Sequence, residues 1–370
     1  MPLVVTQKQL DTTYMIRAVL RHLCIAASTL SLGAGSAYAH PPSSPDYAAS
    51  SLEDLFIPRK PVPYSILGLN AFANEPSFGT IRSQYREVRS TLGIRKVRIL
   101  MAWNDQIQPT PNVEPTFVFY DDLVRGLPSG TEALLILTGV PSWMNDSRNW
   151  IGENPRRTFV ERWVKKVVAR YGRRGRVGGF QIWNEPNNPD FAENNTIDVL
   201  TKPDNYLELL ALAHSAAKSI APRKRVINGA TTAIAQNYPH TLNYNKALIN
   251  GGVLAFTDAY AIHYYGKNIE RVLLPGGVAD LLKRVTKPIW VTESGAQGIN
   301  KQREYAERIF PFLKKQIPAL ARIYLYQFTE STSAATTYGL RNLTPGFGIS
   351  DLYIHLRDRK KTTTTSSPRR

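Results

Sequence analysis

Residues Val177–Asn188 read VGGFQIWNEPNN, and this stretch decides how the rest of the chain is interpreted. The apolar run Val177–Trp183 predicts a buried β-strand. Pro186 ends the strand, because proline has no amide hydrogen for a sheet ladder and its fixed φ suits a turn. Asn184 and Glu185 therefore stand at the end of an apolar strand. A carboxyl group in that position is poorly solvated, which suits it to donate a proton to a substrate.

Similar apolar runs of strand length recur along the chain and alternate with segments of helical periodicity. The predicted strands are Tyr64–Leu69, Lys96–Trp103, Glu132–Val140, Val177–Trp183, Arg225–Ala230, Ala259–Tyr264, Pro288–Thr292 and Ala321–Phe328. The predicted helices are Thr80–Leu92, Phe117–Leu127, Phe159–Tyr171, Tyr206–Ile220, Leu242–Asn250, Val278–Val285, Glu304–Leu313 and a short last one over Leu352–Leu356.

This alternation predicts an α/β fold, a single-domain (β/α)8 TIM barrel, which typically needs about 250 residues plus loop additions. A doubly wound open sheet also alternates strands and helices. The stretch after the first strand, LGLNAFAN over residues 67–74, lacks the glycine-rich phosphate turn of that fold. The strand number and this missing turn favour the barrel.

The N-terminal region has the pattern of an export signal. Two arginines precede the apolar run Leu23–Gly35, and Ala37-Tyr38-Ala39 has the form of a signal-peptidase site. Residues 1–39 are therefore predicted to be a signal peptide, with residues 1–14 a possible upstream extension. Cleavage would remove Cys24, the single cysteine, and leave a secreted or periplasmic chain without disulfides. An uncleaved membrane anchor is the alternative.

Composition divides the remaining chain into three parts. Residues 40–63 are rich in Pro, Ser and Ala and predict a linker that lies over the domain surface. Residues 64–356 form the predicted catalytic domain. Residues 357–370, RDRKKTTTTSSPRR, predict a disordered basic tail because their composition is charged and of low complexity.

The charge balance is strongly basic, with 46 Lys and Arg against 29 Asp and Glu and a net charge of +17. Such a chain can bind nucleic acid, an anionic cell surface or an acidic polymer, or the charge can serve solubility alone. The six histidines are dispersed and no cysteine pair exists. We therefore predict no metal site and no cofactor.

A second carboxylate, Glu293 in PIWVTESG, follows the seventh predicted strand, 108 residues after Glu185. Reactive groups of a barrel gather at the carboxyl ends of its strands, so strands four and seven would place the two acids across one mouth. Glycoside hydrolysis uses two such carboxylates. The alternative is that each glutamate merely binds a neighbouring arginine or a loop amide.

Two motifs resemble those of the clan A glycoside hydrolases, which are retaining (β/α)8 enzymes. They are Trp183-Asn184-Glu185-Pro186, followed by Asn187, and Trp290-Val291-Thr292-Glu293. The WNEPN form is most similar to glycoside hydrolase family 39, the β-xylosidase and biofilm-matrix endoglycosidase group, with family 5 as second choice. The resemblance spans roughly residues 60–356, and the motifs are specific for the clan more than for the family.

The resemblance implies a role for each residue of the two motifs. Glu185 would be the general acid/base and Glu293 the nucleophile. Asn184 would hydrogen-bond the 2-hydroxyl of the sugar, a contact that tightens in an oxocarbenium-like transition state. In a retaining enzyme we expect the two carboxyl groups to lie about 5 Å apart.

The resemblance also extends to the second and sixth strands. Arg98 matches the arginine that the clan places near the nucleophile, where its charge would keep Glu293 ionised. His263-Tyr264-Tyr265 resembles the clan's His-x-Tyr, so Tyr265 would hold the nucleophile and His263 would line the sugar site. The alternative for His263 is a structural histidine with satisfied hydrogen bonds at a strand end.

Aromatic residues near strand ends are candidate sugar platforms, because an aromatic ring stacks on the apolar face of a pyranose. Trp143 in GVPSWM is the favoured one. Trp103, Tyr326 and Phe328 are further candidates, with core packing as the alternative and as the stronger expectation for the last two. The long segments 187–204 and 329–348 are predicted cleft walls.

Three functions remain to be compared. The favoured one is an exported, monomeric, retaining β-glycosidase acting on a polysaccharide or oligosaccharide, with an anionic polysaccharide indicated by the basic charge. The second is a catalytically weak carbohydrate-binding barrel protein of an extracellular matrix, which the presence of both glutamates argues against. The third is a nucleic-acid-binding protein, which the signal peptide and the lack of a clustered basic motif disfavour.

Overall fold

The computed structural model describes residues 57–73, 75–342 and 348–365, with side chains described up to residue 360. The predicted signal peptide and the first part of the predicted linker lie outside the described residues. Export therefore stays a prediction. Within the described residues, no helix combines the length and the apolar character that crossing a bilayer requires.

Eight parallel strands form one sheet in the order β5-β4-β3-β2-β1-β8-β7-β6. They are β1 Leu67–Asn70, β2 Lys96–Ala102, β3 Glu132–Thr138, β4 Val177–Ile182, β5 Arg225–Asn228, β6 Tyr260–His263, β7 Ile289–Ser294 and β8 Leu320–Leu325. All eight predicted strands are present, and the predicted (β/α)8 barrel is confirmed. A small ladder, β9 Thr329–Glu330 and β10 Arg341–Asn342, follows β8.

Helices occupy the connections between the strands. They are α1 Ile81–Arg86, α2 Val118–Gly126, α3 Pro155–Phe159, α4 Lys165–Tyr171, α5 Glu193–Thr196, α6 Pro203–Ile220, α7 His240–Asn250, α8 Ile269–Leu273, α9 Val278–Leu282, α10 Gln302–Gln316 and α11 Asp351–Thr365. A π-helical segment, Val160–Val164, joins α3 to α4. The segment packs one stripe of side chains inward, since Phe159, Trp163, Val167 and Tyr171 are all buried.

The barrel closes between β5 and β6 by a different kind of contact. These strands share only an isolated bridge, Ile227 to Ala259, instead of a continuous ladder. The buried side chain of Asn228 supplies the missing backbone pair. Its Oδ1 accepts from the amide of Ala261 at 2.8 Å, and its Nδ2 donates to the carbonyl of Ala261 at 3.0 Å.

Asn228→Leu is expected to lower the free energy of unfolding by about 2–4 kcal/mol, because the amide and carbonyl of Ala261 lose their partners in a buried place. Urea unfolding followed by circular dichroism measures this change. Asn243→Ala is the control, since Asn243 is exposed on α7. An Asn228→Leu variant as stable as the control would show that the side chain does not hold this seam together.

Residues 357–365 of the predicted disordered tail are helical, and residues 366–370 lie outside the described residues. Residues 357–365 continue α11, which was predicted to end near Leu356. The basic residue Arg359 donates to the carbonyl of Val62 at 2.8 Å, and its guanidinium lies 4.6 Å from the ring centroid of Tyr64. Low complexity predicted disorder there, but these contacts with the segment before β1 and the buried Leu356 hold the helix on the barrel.

The described end of the predicted linker, residues 57–63, lies against α10. Arg59 pairs with Glu307 at 2.6 Å, and the amide of Lys60 donates to the carbonyl of Glu307 at 2.8 Å. Val62 is buried. This short part therefore packs on the domain surface, in the position that its composition predicts.

Candidate active site

The backbone turns sharply where β4 ends. Trp183 and Glu185 have φ angles of +74° and +43°, a left-handed region that costs a bulky residue about 1–3 kcal/mol. Backbone hydrogen bonds hold both in place: the amide of Trp183 donates to the carbonyl of Leu137, and that of Glu185 to the carbonyl of Ala230, each at 2.8 Å. The turn carries Glu185 away from the strand and toward the barrel mouth.

Asn194, a buried residue of α5, fixes this turn from the other side. Its Oδ1 accepts from the indole Nε1 of Trp183 at 2.7 Å. Its Nδ2 donates to the carbonyls of Glu185 at 2.9 Å and Asn188 at 2.8 Å. The predicted cleft-wall segment after β4 thus begins as a hydrogen-bonded scaffold for the acid.

The carboxylate of Glu185 is held at both oxygens. The carboxamide of Asn188 donates to Oε2 at 2.8 Å, and the Nδ1 of His263 lies 2.9 Å from Oε1. Glu185, Asn188 and His263 are all buried. Asn188 was not singled out from the sequence, although it stands in the quoted stretch three residues after the acid.

The carboxylate of Glu293, near the end of β7, has a more cationic environment. Arg98 on β2 donates from Nη1 to Oε1 at 2.6 Å, and the hydroxyl of Tyr265 donates to Oε2 at 3.0 Å. The Nε2 of His263 lies 3.5 Å from Oε1. The structure therefore brings His263 to both glutamates, a position that motif spacing did not predict.

These contacts set the ionisation of Glu293. Burial raises the pKa of its carboxyl, but the charges of His263 and Arg98 and the hydrogen bonds from Arg98 and Tyr265 lower it by more, so the pKa lies below its usual value. Burial and the charge of Glu293 raise the pKa of Tyr265 well above its usual value. Tyr265 therefore stays protonated and donates to an ionised carboxylate.

Arg98 is almost fully buried, and all three nitrogens of its guanidinium donate hydrogen bonds. Besides Glu293 it donates to three side-chain carbonyl oxygens: Asn70 at 2.8 Å, Gln181 at 2.7 Å and Asn184 at 2.9 Å. Since Oδ1 of Asn184 accepts from Arg98, the NH2 of that carboxamide faces the other way. Asn70 and Gln181 lie inside β1 and β4, and sequence patterning did not separate them from core positions.

One carboxylate oxygen of Glu185, one of Glu293 and a ring nitrogen of His263 lie within 4.8 Å of one another. Carboxylates and imidazole are also ligands of divalent cations. Here the guanidinium of Arg98 lies against Glu293, and a second cation beside it would meet strong repulsion in a buried site. These residues are therefore better suited to two closely spaced carboxyl groups that act without a metal ion than to a metal site.

Aromatic side chains line the region next to Glu293. Tyr265, Tyr326 and Tyr338 pack edge to face with ring centroids 5.5 to 6.3 Å apart, and Phe72 packs on Tyr326 at 6.3 Å. Phe72 and Tyr338 are half-buried, so part of each side chain is open to solvent. Phe72 stands in the loop after β1 and Tyr338 between β9 and β10, and both were missed because no apolar pattern marks them.

The other predicted platforms lie elsewhere. Trp143 donates from Nε1 to the carbonyl of Gln108 at 2.9 Å and packs on Trp103 with ring centroids 5.3 Å apart. Among the described residues, no hydrogen bond or ring contact joins Trp143 to the two glutamates. Its role in sugar binding stays a prediction. Trp103 and Phe328 are fully buried core residues.

Clan A glycoside hydrolases have a (β/α)8 barrel with two glutamates at the ends of strands four and seven. The described residues of this chain form a nearly closed barrel with two buried glutamates in the same places. A family model described as a glycosyl hydrolase catalytic core matches residues 180–337 of this chain. That range includes Glu185, His263, Tyr265 and Glu293. A search of curated proteins found no significant match.

Solved structures share the fold at low identity. A family 39 glycoside hydrolase from Bacteroides cellulosilyticus WH2 has a TM-score of 0.56 and 17% identity over 82% of this chain and 65% of its own. An exo-β-1,4-mannosidase from Opitutaceae bacterium strain TAV5 has a TM-score of 0.54 and 15% identity over 84% of this chain and 61% of its own. Thermotoga maritima Cel5A, in complex with cellobiose, has a TM-score of 0.54 and 17% identity over 79% of this chain and 96% of its own.

These comparisons confirm the resemblance to clan A glycoside hydrolases, with family 39 among the structural neighbours. At this identity the neighbours show the fold, and the catalytic-core model supports hydrolysis of glycosidic bonds as the general activity. The chain spans less than two thirds of the length of the first two neighbours named above.

Proposed function

We propose that this chain is an exported retaining β-glycosidase that cleaves a polysaccharide or oligosaccharide by double displacement. The observation that carries the proposal is the pair Glu185 and Glu293, which lie close together at one barrel end but in different surroundings. Retaining enzymes separate their carboxyl groups by about 5–5.5 Å, and inverting enzymes by about 6.5–9.5 Å. Carboxylate oxygens within 4.8 Å of each other support the retaining class.

In the first step, the carboxylate of Glu293 attacks the anomeric carbon and the bond to the leaving oxygen breaks. Glu185 donates its proton to that oxygen, so the leaving group departs as a neutral alcohol. The low pKa of Glu293 supports this assignment, because the nucleophile must be ionised while the acid is protonated. The NH2 of Asn184 is available to the sugar 2-hydroxyl.

In the second step, Glu185 is a carboxylate and takes a proton from water. The water oxygen attacks the anomeric carbon, and the ester bond to Glu293 breaks, which releases Glu293 as a carboxylate. Two inversions give net retention. His263 lies beside both glutamates, with Nδ1 2.9 Å from Oε1 of Glu185 and Nε2 3.5 Å from Oε1 of Glu293, so its charge acts on both carboxyl groups.

The test uses azide with an aryl glycoside substrate. Glu185→Ala is expected to be rescued by azide with a product of retained configuration, because azide replaces water in the second step. Glu293→Ala is expected to be rescued with an inverted product, because azide then attacks directly. Proton NMR of the products distinguishes the two anomers. Inverted products from both variants would contradict the double displacement.

Chelation is expected to leave hydrolysis unchanged. Arg98 occupies the side of Glu293 that a metal ion would need, and the proposed chemistry uses only carboxyl groups. Initial rates after dialysis against EDTA measure this, with rates after adding back Mg²⁺ or Zn²⁺ as the control. A loss of more than half the rate that a metal restores would assign the Glu185–His263–Glu293 group to a cation.

Phe72→Ala is expected to raise KM about tenfold with a small change in kcat, since an exposed aromatic face contributes about 0.5–1.5 kcal/mol beyond its buried area. Trp143→Phe keeps a ring that, among the described residues, has no hydrogen bond or ring contact with the two glutamates, and it is expected to leave KM within twofold. Steady-state kinetics on an oligosaccharide series decides between the two platforms. A tenfold rise in KM for Trp143→Phe with little change for Phe72→Ala would instead support Trp143 as the sugar platform.

The substrate is found with a polysaccharide panel and product sizing, which gives sugar, linkage and endo or exo action together. Export is tested by determining the N-terminus of the chain from the periplasm or medium. Cleavage after Ala39 is expected. A chain that retains residues 1–39 and sediments with membranes would favour the uncleaved anchor instead.

A further inference from the structure

The barrel end opposite the two glutamates is crowded with cations. Glu132, the first residue of β3, accepts from Arg322 at 2.6 Å and from Arg225 at 3.3 Å. Lys96 stands beside Glu132 in the β2–β3 register. Two arginines from two strands thus share one carboxylate near the strand starts, and Lys96 on a third strand stands next to it.

Backbone contacts bring further basic residues to this end. The carbonyl of Arg176 accepts from the amide of Ala133, next to Glu132, at 2.8 Å. Lys224 donates to the carbonyl of Arg174 at 2.9 Å. We call the set Lys96, Arg174, Arg176, Lys224, Arg225 and Arg322 the basic face.

The positive charge of this face exceeds what Glu132 neutralises. Burial and the charges of Arg322 and Arg95 lower the pKa of Lys96, against the opposite effect of Glu132. Burial also lowers the pKa of Lys224. Positive groups that lie close together repel one another, and the positive electrostatic potential around them attracts an anion.

A cavity of about 440 Å³ opens at the edge of the basic face, between α2 and the turn 172–176. Its walls include Arg125, Arg170, Arg174 and Arg176. Arg170 already pairs with Asp121, the one carboxylate of this lining, and Arg125 pairs with Asp122. Arg174 and Arg176 are exposed and form no ion pair within the described residues.

We propose that the basic face and its cavity bind an acidic polysaccharide, with the sugar carboxylates on Arg174 and Arg176. Guanidinium groups bind carboxylates in a bidentate fork, which favours arginine at such a site. A cavity of 440 Å³ lies in the size range of small-ligand pockets. The choice of a polysaccharide over another polyanion rests on the proposed glycosidase function.

The position of the face gives it a separate role. The glutamates lie at the carboxyl ends of the strands and the basic face at their amino ends, so a polymer held at one end leaves the mouth open for another segment. The chain would thereby stay on its matrix between cleavage events. Two sites linked through one polymer raise the local concentration of cleavable bonds.

The test is affinity electrophoresis of the folded chain in gels that contain sodium alginate, a linear polyuronate, with dextran as the neutral polymer. Alginate is expected to retard the chain at low salt, and NaCl at 0.5 M to remove the effect. Arg174→Ser/Arg176→Ser is expected to weaken alginate binding about tenfold. Hydrolysis of a small uncharged glycoside by this variant is expected to equal that of the parent.

Arg157→Ser/Lys301→Ser is the matched control, because it removes the same charge from two exposed residues, Arg157 on α3 after β3 and Lys301 in the turn before α10 after β7. It is expected to change alginate binding less than twofold. Equal losses in the two variants, or no retardation of the parent, would overturn the proposal. Tighter retardation by duplex DNA than by alginate would assign the face to nucleic acid. The gel retardation outcomes do not depend on turnover, so failure of this proposal is distinguishable from failure of the azide test.

Discussion

Glu293→Gln is expected to lower kcat/KM by a factor on the order of 10⁵, because an amide cannot form the covalent intermediate. The amide oxygen still accepts from Arg98 or Tyr265, so the circular dichroism spectrum should match the parent. Glu185→Gln is expected to lose about 10²–10⁴-fold, the usual contribution of a general acid and base. Aryl glycosides with good leaving groups should lose least in the Glu185 variant, since they need little protonation.

The control for both variants is Glu270→Gln, an exposed glutamate of α8. Its kcat/KM should stay within twofold of the parent. Near-normal turnover of Glu293→Gln on the true substrate would remove Glu293 from the reaction. The same result for both variants would leave the carbohydrate-binding barrel protein as the better description.

Arg98→Met is expected to have the second largest effect, on stability as well as on rate. The change leaves the carboxylate of Glu293 buried without its cation, and breaking a buried pair in this way costs about 3–5 kcal/mol. It also removes the donor shared by Asn70, Gln181 and Asn184. Urea unfolding at neutral pH measures the loss of stability.

The pH dependence of Arg98→Met follows from the sign of the pKa shift. In the parent, the pKa of folded Glu293 lies below its usual value, so this group stabilises the fold above the unfolded pKa and loses that contribution as the pH falls through the folded pKa. Without Arg98, only His263 and Tyr265 oppose the effect of burial, so the pKa of Glu293 is expected to rise relative to the parent. The acid limb of the kcat/KM profile should therefore move to higher pH.

The double variant Arg98→Met/Glu293→Gln completes a double-mutant cycle with the two single variants. Removing the carboxylate charge should restore much of the stability lost in Arg98→Met, because the unpaired buried charge is gone. A double variant that is less stable than Arg98→Met would mean that the loss arises from packing around Arg98. An unmoved acid limb in Arg98→Met would mean that another group sets the ionisation of the nucleophile.

The strands were predictable because each is an apolar run of strand length with a helix-like segment after it, as in Glu132–Thr138 or Ile289–Ser294. The two glutamates were predictable because each follows such a run. Gln181 was not, since a polar residue inside an apolar strand gives no sign of which side of the sheet it faces, and Asn70, directly after the first predicted strand, stands in no motif that marks it. Only closure into a barrel turns both side chains toward Arg98.

His263 illustrates a similar limit. Its place at the end of β6 followed from the sequence, but its contact with two acids from β4 and β7 depends on the tilt and stagger of the strands. The basic face was hidden for a related reason. Lys96, Arg176 and Arg322 are far apart in sequence, and they meet because parallel strands start at one end.

The side-chain closure at Asn228 has a dynamic consequence. β6 pairs with β7 along one edge, but toward β5 it has one adjoining bridge, the carboxamide of Asn228 and a hydrogen bond from the amide of Ile234 to the carbonyl of His263. Local opening of a protein follows its least costly separation, so amide exchange should be faster along this seam than within β2–β3. The strand that leads to His263 and Tyr265 is therefore expected to open at a lower free-energy cost than β2 or β3, and hydrogen exchange of its amides measures this difference.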